Sequence, residues 1–263
     1  MTNLKEKMAA ELAELNFIGN EFNLIPLNGG AVNCSYRLES QATHYFVKTF
    51  ESDQIAVLAR SKLFEIQQQL AELGLAVKPI YLSKCGDFQI DEWSKTTTLD
   101  VADVTNLDST KILAASLSQI HKANIVASIL DLPQQWQHYV DCIGLPISDS
   151  ERLTMDRYAD IWYHACAEET VFCHNDLALS HVTNSQPFKI FDWEYCAKSS
   201  RYFDVASCVL VNGMNATDEA SLCALYAQNS ELHTSTVIEN VTLMKPLVKL
   251  TNRLWYQAAR RVN

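Results

Sequence analysis

Two rhythms of apolar and polar positions divide the chain. Up to about residue 92 the short apolar runs step in twos, as half-buried strands do. They predict strands over Phe22–Leu27, Cys34–Leu38, Tyr45–Phe50, Val77–Leu82 and Phe88–Trp93, the last two closing a five-stranded sheet. Two helical stretches interrupt them. Residues 1–20 are amphipathic and end near Gly19-Asn20. Asp53–Leu73 carries Ile55, Leu58, Leu63, Ile66 and Leu70 at helical spacing, with Gly74 as its stop and Ser52 or Asp53 as its N-cap. Ser94–Asp100 is polar and marks a boundary. Beyond it the rhythm is mostly helical: Ser109–Ala123, Glu151–Glu169, Tyr202–Asn212, Asp218–Tyr226, and Thr236–Val262 interrupted at Pro246. Pro133–Ile147 reads as a looser connection. No repeat or low-complexity segment is present.

One stretch breaks the helical rhythm. Val171-Phe172-Cys173 is a short strand that stops at His174-Asn175-Asp176. His181-Val182-Thr183 resumes an extended pattern, Asn184–Pro187 is a turn by composition, and Phe188–Phe191 is again β-prone. Asp176 and Asp192 therefore stand at the ends of extended segments that a hairpin brings together. Converging carboxylates suit a hard divalent cation, which takes oxygen ligands.

Bulk properties narrow the choice. The 263 residues are 48% hydrophobic, enough for a full core. No apolar run is long enough to span a membrane, and Glu6, Glu11 and Glu14 break any leader-like apolar segment at the start. The eight cysteines show no paired metal spacing and read as reduced core thiols, which points to the cytoplasm. A formal net charge of −10 disfavours nucleic acid and attracts cationic small molecules. Nothing in the sequence decides between monomer and homodimer.

The order His174-x-Asp176, then Asp192-Trp193-Glu194-Tyr195, then Tyr202-Phe203-Asp204 resembles the aminoglycoside phosphotransferase and choline kinase superfamily. The wording is nearest to choline/ethanolamine kinases, with bacterial thiamine kinases nearby. Gly29-Gly30-Ala31-Val32-Asn33-x-x-Tyr36 is similar to their nucleotide-binding loop, in which glycine lets backbone N–H groups approach phosphate. The resemblance implies an α+β, two-lobed, protein-kinase-like fold, with an N-lobe over 1–92 and a C-lobe over 93–263. It implies an ATP-dependent small-molecule kinase using Mg²⁺, or Mn²⁺. Asp176 would orient the acceptor hydroxyl and Asp192 would bind the metal. Lys48 would hold phosphate with Gly29, Gly30 and Asn33; on its own it is either a solvent residue of an edge strand or such a cation. Glu65 would pair with Lys48, although it lies nearer Gly74 than the family's glutamate does. Asp91 and Trp93 would fall at the adenine-binding hinge. His174 and Asp204 would brace the loop.

One departure stands out. The family spacing HxDxxxxN ends in a metal-binding Asn, whereas HNDLALSH ends in His181. Imidazole is a poor Mg²⁺ ligand. His181 binds a softer ion such as Mn²⁺, or Asn184 or a water substitutes, or the enzyme is impaired. Trp193, Glu194, Tyr195 and Trp255 are the candidates to hold a cationic alcohol, because aromatic faces plus a carboxylate bind ammonium groups. Glu194 follows Asp192 by two and is expected on the same strand face. Two other readings stay open: a catalytically impaired nucleotide- or metabolite-binding protein, and an aminoglycoside-type phosphotransferase.

Overall fold

Five strands form an antiparallel sheet in the order β1-β2-β3-β5-β4: β1 Phe22–Leu27, β2 Ser35–Ser40, β3 His44–Thr49, β4 Pro79–Leu82 and β5 Phe88–Glu92. The computed structural model describes residues 4–19, 21–27, 33–41, 43–50, 53, 55, 58–99, 107–184 and 186–262. The chain divides into two compact units, Met1–Lys95 and Thr96–Asn263.

In the first unit, strand alternation sorts side chains between two faces. Tyr36, Leu38, Val47, Phe88 and Ile90 are buried on one face, against Met8 and Leu12 of helix α1, Leu4–Ala13. Tyr81 fastens the helix by donating its hydroxyl to Glu11 at 2.6 Å. Lys48, Gln89 and Asp91 belong to the other face, because Lys48 pairs with Gln89 and Phe46 with Asp91 in the β3–β5 register. Helix α2, Arg60–Glu72, reaches this second face through Gln67.

Helix α2 starts seven residues later than the apolar spacing predicts. Asp53 does not cap it: Ala59 is the N-cap, with no side-chain hydrogen bond. The Asp53 carboxylate instead grips the Arg60 guanidinium, whose flat side lies over Phe50 at 3.6 Å. A strong charge partner has outcompeted the cap. The stop is where glycine puts it, with Gly74 at φ +78°.

The second unit is helical: α3 Leu107–Lys122, α4 Leu132–Ile143, α5 Asp149–Glu168, α6 Arg201–Val211, α7 Ala216–Ser230 and α8 Thr234–Val262. A two-stranded ribbon, β6 Val171–Cys173 with β7 Ala197–Ser199, brackets the polar central stretch. Helix α8 packs on α4, α6 and α7. It runs through Pro246 without ending, because Val241, Met244, Leu247 and Val248 are buried on both sides of the missing N–H.

Helix α4 replaces the expected loose connection. Its signals are local and complete. Asp131 caps the Gln134 N–H at 3.1 Å, Pro133 sits in the first turn, and Gly144 ends the helix at φ +65°. Leu132, Trp136, Tyr139 and Val140 form its buried stripe. Helix α5 begins with a reciprocal capping box between Ser148 and Glu151.

Candidate active site

The site begins with a buried carboxylate. Asp204 lies in the first turn of α6, fully enclosed. It accepts hydrogen bonds from the backbone N–H of His174 at 2.9 Å and of Asn175 at 2.7 Å, and is 3.0 Å from Nε2 of His121. The other His121 nitrogen meets the Tyr226 hydroxyl at 2.7 Å. Burial alone would push the Asp204 carboxyl up; His121 and the loop amides outweigh it and hold the group below the usual carboxylate range. His121, Cys173 and Asp204 offer ligand atoms within 4.8 Å of one another. Burial pushes the Cys173 thiol well up, so it keeps its proton, and the other two are already hydrogen-bonded. The trio acts as a brace.

Above Asp204 the chain makes a strained turn. Asn175 has φ +66°, a left-handed conformation that asparagine accepts more readily than most residues. Its amide donates to the Tyr195 carbonyl at 2.9 Å and accepts from the Ser199 hydroxyl at 2.7 Å, while its own carbonyl accepts from Ser207 at 2.8 Å. One side chain thus joins the loop, the ribbon and the segment around Tyr195. Sequence reasoning did not single it out; the residue between His174 and Asp176 was the available signal.

His174 is fully buried. Its Nε2 lies 2.9 Å from the Phe191 carbonyl and must donate; its Nδ1 then accepts from the Asp176 N–H at 3.3 Å. Burial, followed by the nearby His181, lowers its pKa to about 4, so the ring is neutral at pH 7. The backbones leading to Asp176 and Asp192 are thereby tied to one imidazole.

His181 makes the second tie. Its Nδ1 is 2.9 Å from the Asp176 carbonyl and donates to it. Nε2 faces Oδ2 of Asp192 at 3.6 Å. The Phe191 N–H returns to the His181 carbonyl at 2.8 Å. An imidazole nitrogen and a carboxylate oxygen facing each other can share a proton or a cation. This nitrogen–oxygen donor pair fits a divalent ion softer than Mg²⁺. Leu179–His181 is a 3₁₀ turn and extension starts only at Val182, so the expected strand beginning at His181 is shortened.

Asp192 takes φ +62°, and Trp193–Tyr195 forms a 3₁₀ turn. Glu194 therefore does not leave from a strand face shared with Asp192. Trp193 is core rather than lining: it is 5% exposed, stacks on Phe172 and donates to the Ile190 carbonyl at 2.9 Å. Tyr195 accepts a hydrogen bond from the Trp255 indole at 2.9 Å. Burial raises the Tyr195 phenol, and the charges of Glu194 and Asp176 add to it. Tyr139 on α4 responds to the same two acids after burial and Cys142. Tyr195 and Trp255 are thus joined, and Tyr195 feels the charge of Glu194.

In the first unit, Lys48 stands beside Gln89 on the second face of the sheet, and Asn33 is buried. Gly29 and Gly30 lie outside the described residues. Glu65 does not turn toward the sheet: it is exposed, while its helix buries Arg60, Ile66, Gln67 and Leu70. Asp91 is inside β5, paired with Phe46 on one side and Pro79 on the other, so its backbone serves the sheet rather than an adenine hinge. Trp93 follows β5 directly, with the Arg37 guanidinium over its ring at 5.8 Å.

The fold is that of the protein-kinase-like phosphotransferases. The ethanolamine kinase of Plasmodium vivax superposes with a TM-score of 0.74 at 14% identity, over 90% of this chain and 75% of that one. A choline/ethanolamine kinase family protein of Mesorhizobium loti gives 0.74 at 14% identity, over 96% and 85%. The choline kinase LicA of Streptococcus pneumoniae gives 0.73 at 16% identity, over 99% of both chains. No curated protein sequence matches. Residues 24–221 match the choline/ethanolamine kinase family, well over half of the chain. The chain belongs to that family and is a small-molecule kinase. Among the described residues no helix is long and apolar enough to cross a membrane.

Proposed function

We propose that this chain transfers the γ-phosphate of ATP to the hydroxyl of a small cationic alcohol of the choline, ethanolamine or thiamine kind. The observation that supports it most is the pair of imidazole ties. His174 and His181 hold the loop bearing Asp176 and the turn bearing Asp192 at fixed separation, which phosphoryl transfer needs more than covalent chemistry. Asp176 accepts the hydrogen bond of the substrate hydroxyl and orients it. His174, buried and neutral, braces the loop and moves no proton. Lys48, with the backbone at Gly29 and Gly30, holds the nucleotide phosphates. Asp192, with Nε2 of His181, would hold the divalent cation, whose charge would offset that of the phosphates. The cationic end of the substrate meets the Glu194 carboxylate and the rings of Tyr195 and Trp255.

The decisive measurement is product formation by the full chain with ATP against choline, ethanolamine, thiamine and an aminoglycoside. One cationic alcohol is expected to be phosphorylated, and Asp176→Asn to lower its rate by about a hundredfold or more. If no alcohol stimulates ATP consumption while nucleotide still raises the melting temperature, the chain is a binding protein instead. His181 in place of Asn is the observation that favours that second reading. Pulsed EPR of Mn²⁺ added with ATP addresses it: a directly bound imidazole nitrogen is expected, and is lost in His181→Asn. Its absence from the unaltered chain would remove His181 from the metal site.

A further inference from the structure

The second face of the first unit's sheet holds a buried acid that the proposed reaction has not used. Asp91 is 8% exposed. Its Oδ1 accepts from the Gln89 amide at 2.7 Å; the same nitrogen lies 2.8 Å from Oε1 of Gln67, whose own amide donates to the Val77 carbonyl at 3.2 Å. Two side chains, Gln89 of β5 and Gln67 of α2, thus fix the carboxylate. Lys48 is directly opposite Gln89 and diagonal to Asp91 on one face of the sheet. Diagonal neighbours of an antiparallel pair are about 7–8 Å apart, within reach of a lysine side chain. Lys48 is the charged group that acts on Asp91; Gln67 and Gln89 are neutral. On the helix, no acid is among the buried residues of α2.

We propose that Asp91 on β5, and not an acid of α2, positions the Lys48 ammonium for the nucleotide. The proposal rests on the phosphotransfer reading of Lys48. A neutral asparagine at position 91 could accept the same Gln89 hydrogen bond without the desolvation penalty of a carboxylate. The charge is therefore unfavourable locally and gains a purpose only through Lys48. It also changes what sets the lysine. An acid on a helix makes the pair depend on where that helix lies, whereas here cation and acid share one hydrogen-bonded register.

Two readouts on the full chain test this with Asp91→Asn, Asp91→Glu, Glu65→Gln and Lys48→Met. The first needs no nucleotide: the rate at which acetic anhydride modifies Lys48, followed by peptide mass spectrometry. Asp91→Asn is expected to raise that rate several-fold, because the amine loses the carboxylate that favours its protonated form. Asp91→Glu is expected to restore most of it, and Glu65→Gln to stay within twofold of the unaltered chain. The second is ATP affinity by calorimetry, expected to weaken about tenfold in Asp91→Asn, to be lost in Lys48→Met, and to be unchanged in Glu65→Gln. Gln89→Leu, which removes the amide that orients Asp91, should move both readouts in the same direction as Asp91→Asn. Equal Lys48 reactivity in Asp91→Asn and the unaltered chain would overturn the proposal, as would a response to Glu65→Gln instead. If labelling responds as expected but the unaltered chain binds no ATP, the phosphotransfer reading falls and takes the purpose of the pair with it.

Discussion

Among the described residues each unit buries one carboxylate, and the two acids meet opposite fates. Asp204 and Asp91 are both sealed from water. Asp204 receives two backbone N–H groups and an imidazole, and its carboxyl is held below the usual range. Asp91 receives side-chain amides and a more distant lysine; burial dominates and raises its pKa to about 6. Burial therefore does not decide the charge of an acid; the donors aimed at it do. The first acid holds a loop in shape, and the second carries an unfavourable charge beside a lysine.

The comparison breaks most visibly at Asp204. Asp204→Asn keeps the size but removes the charge and puts an N–H₂ where one of the two backbone donors needs an acceptor, since each carboxylate oxygen takes one. The loss should be about 3–5 kcal/mol, as for one partner removed from a buried charge network. Urea unfolding of the full chain would show it as a lower midpoint; a change under about 0.5 kcal/mol, the scale of ordinary surface substitutions, would mean that the brace is not structural. Asn175→Ala comes next. It removes two side-chain hydrogen bonds and leaves alanine at φ +66°. A loss of about 2–3 kcal/mol follows from about 1 kcal/mol per bond plus the strain of the left-handed region. Asn175→Gly, which relieves the strain alone, should recover about 1 kcal/mol of it.

Asp91→Asn sharpens the contrast because its sign reverses. The carboxyl of the folded chain has a pKa of about 6 against an ordinary value of 3.8, so the folded form binds more protons between those values. The stability that this gives is full below the lower value and is lost as pH rises through about 6. At 1.36 kcal/mol per pH unit, the burden on the unaltered chain at pH 8 is at most about 3 kcal/mol. Asp91→Asn should thus be the more stable protein at pH 8, with the advantage gone near pH 4. A variant less stable at pH 8 would show that the ionised form is well solvated after all. The smallest effect belongs to Glu65→Gln, expected to change stability by less than about 0.5 kcal/mol, since the side chain is exposed.

Much of the architecture was readable before any coordinates. Strands Phe22–Leu27 and Val171–Cys173 lie where the alternation puts them, because each is short, apolar and bounded by turn residues. The helix stop at Gly74 follows from glycine's freedom at positive φ. Helix α4 is equally legible: Asp131, Pro133, the spacing of Trp136 and Tyr139, and Gly144 make a complete statement of a helix. The start of α2 was not legible. Whether Asp53 caps a helix or holds Arg60 depends on where a guanidinium 7 residues away folds back.

Chain order alone singled out Asp176 and Asp192, since the spacing of His174, Asp176, Asp192 and Asp204 is a property of the sequence. It also carried the alternation that puts Lys48 and Asp91 on matching faces of their strands. Partners were decided in three dimensions. A one-residue choice of helix face exposes Glu65 and buries Gln67, and a single 3₁₀ turn after Asp192 takes Glu194 off the strand. Periodicity records which way a side chain points along its own element. Which donors and charges meet it there is set by the neighbouring element, often tens of residues away, and only packing brings the two together.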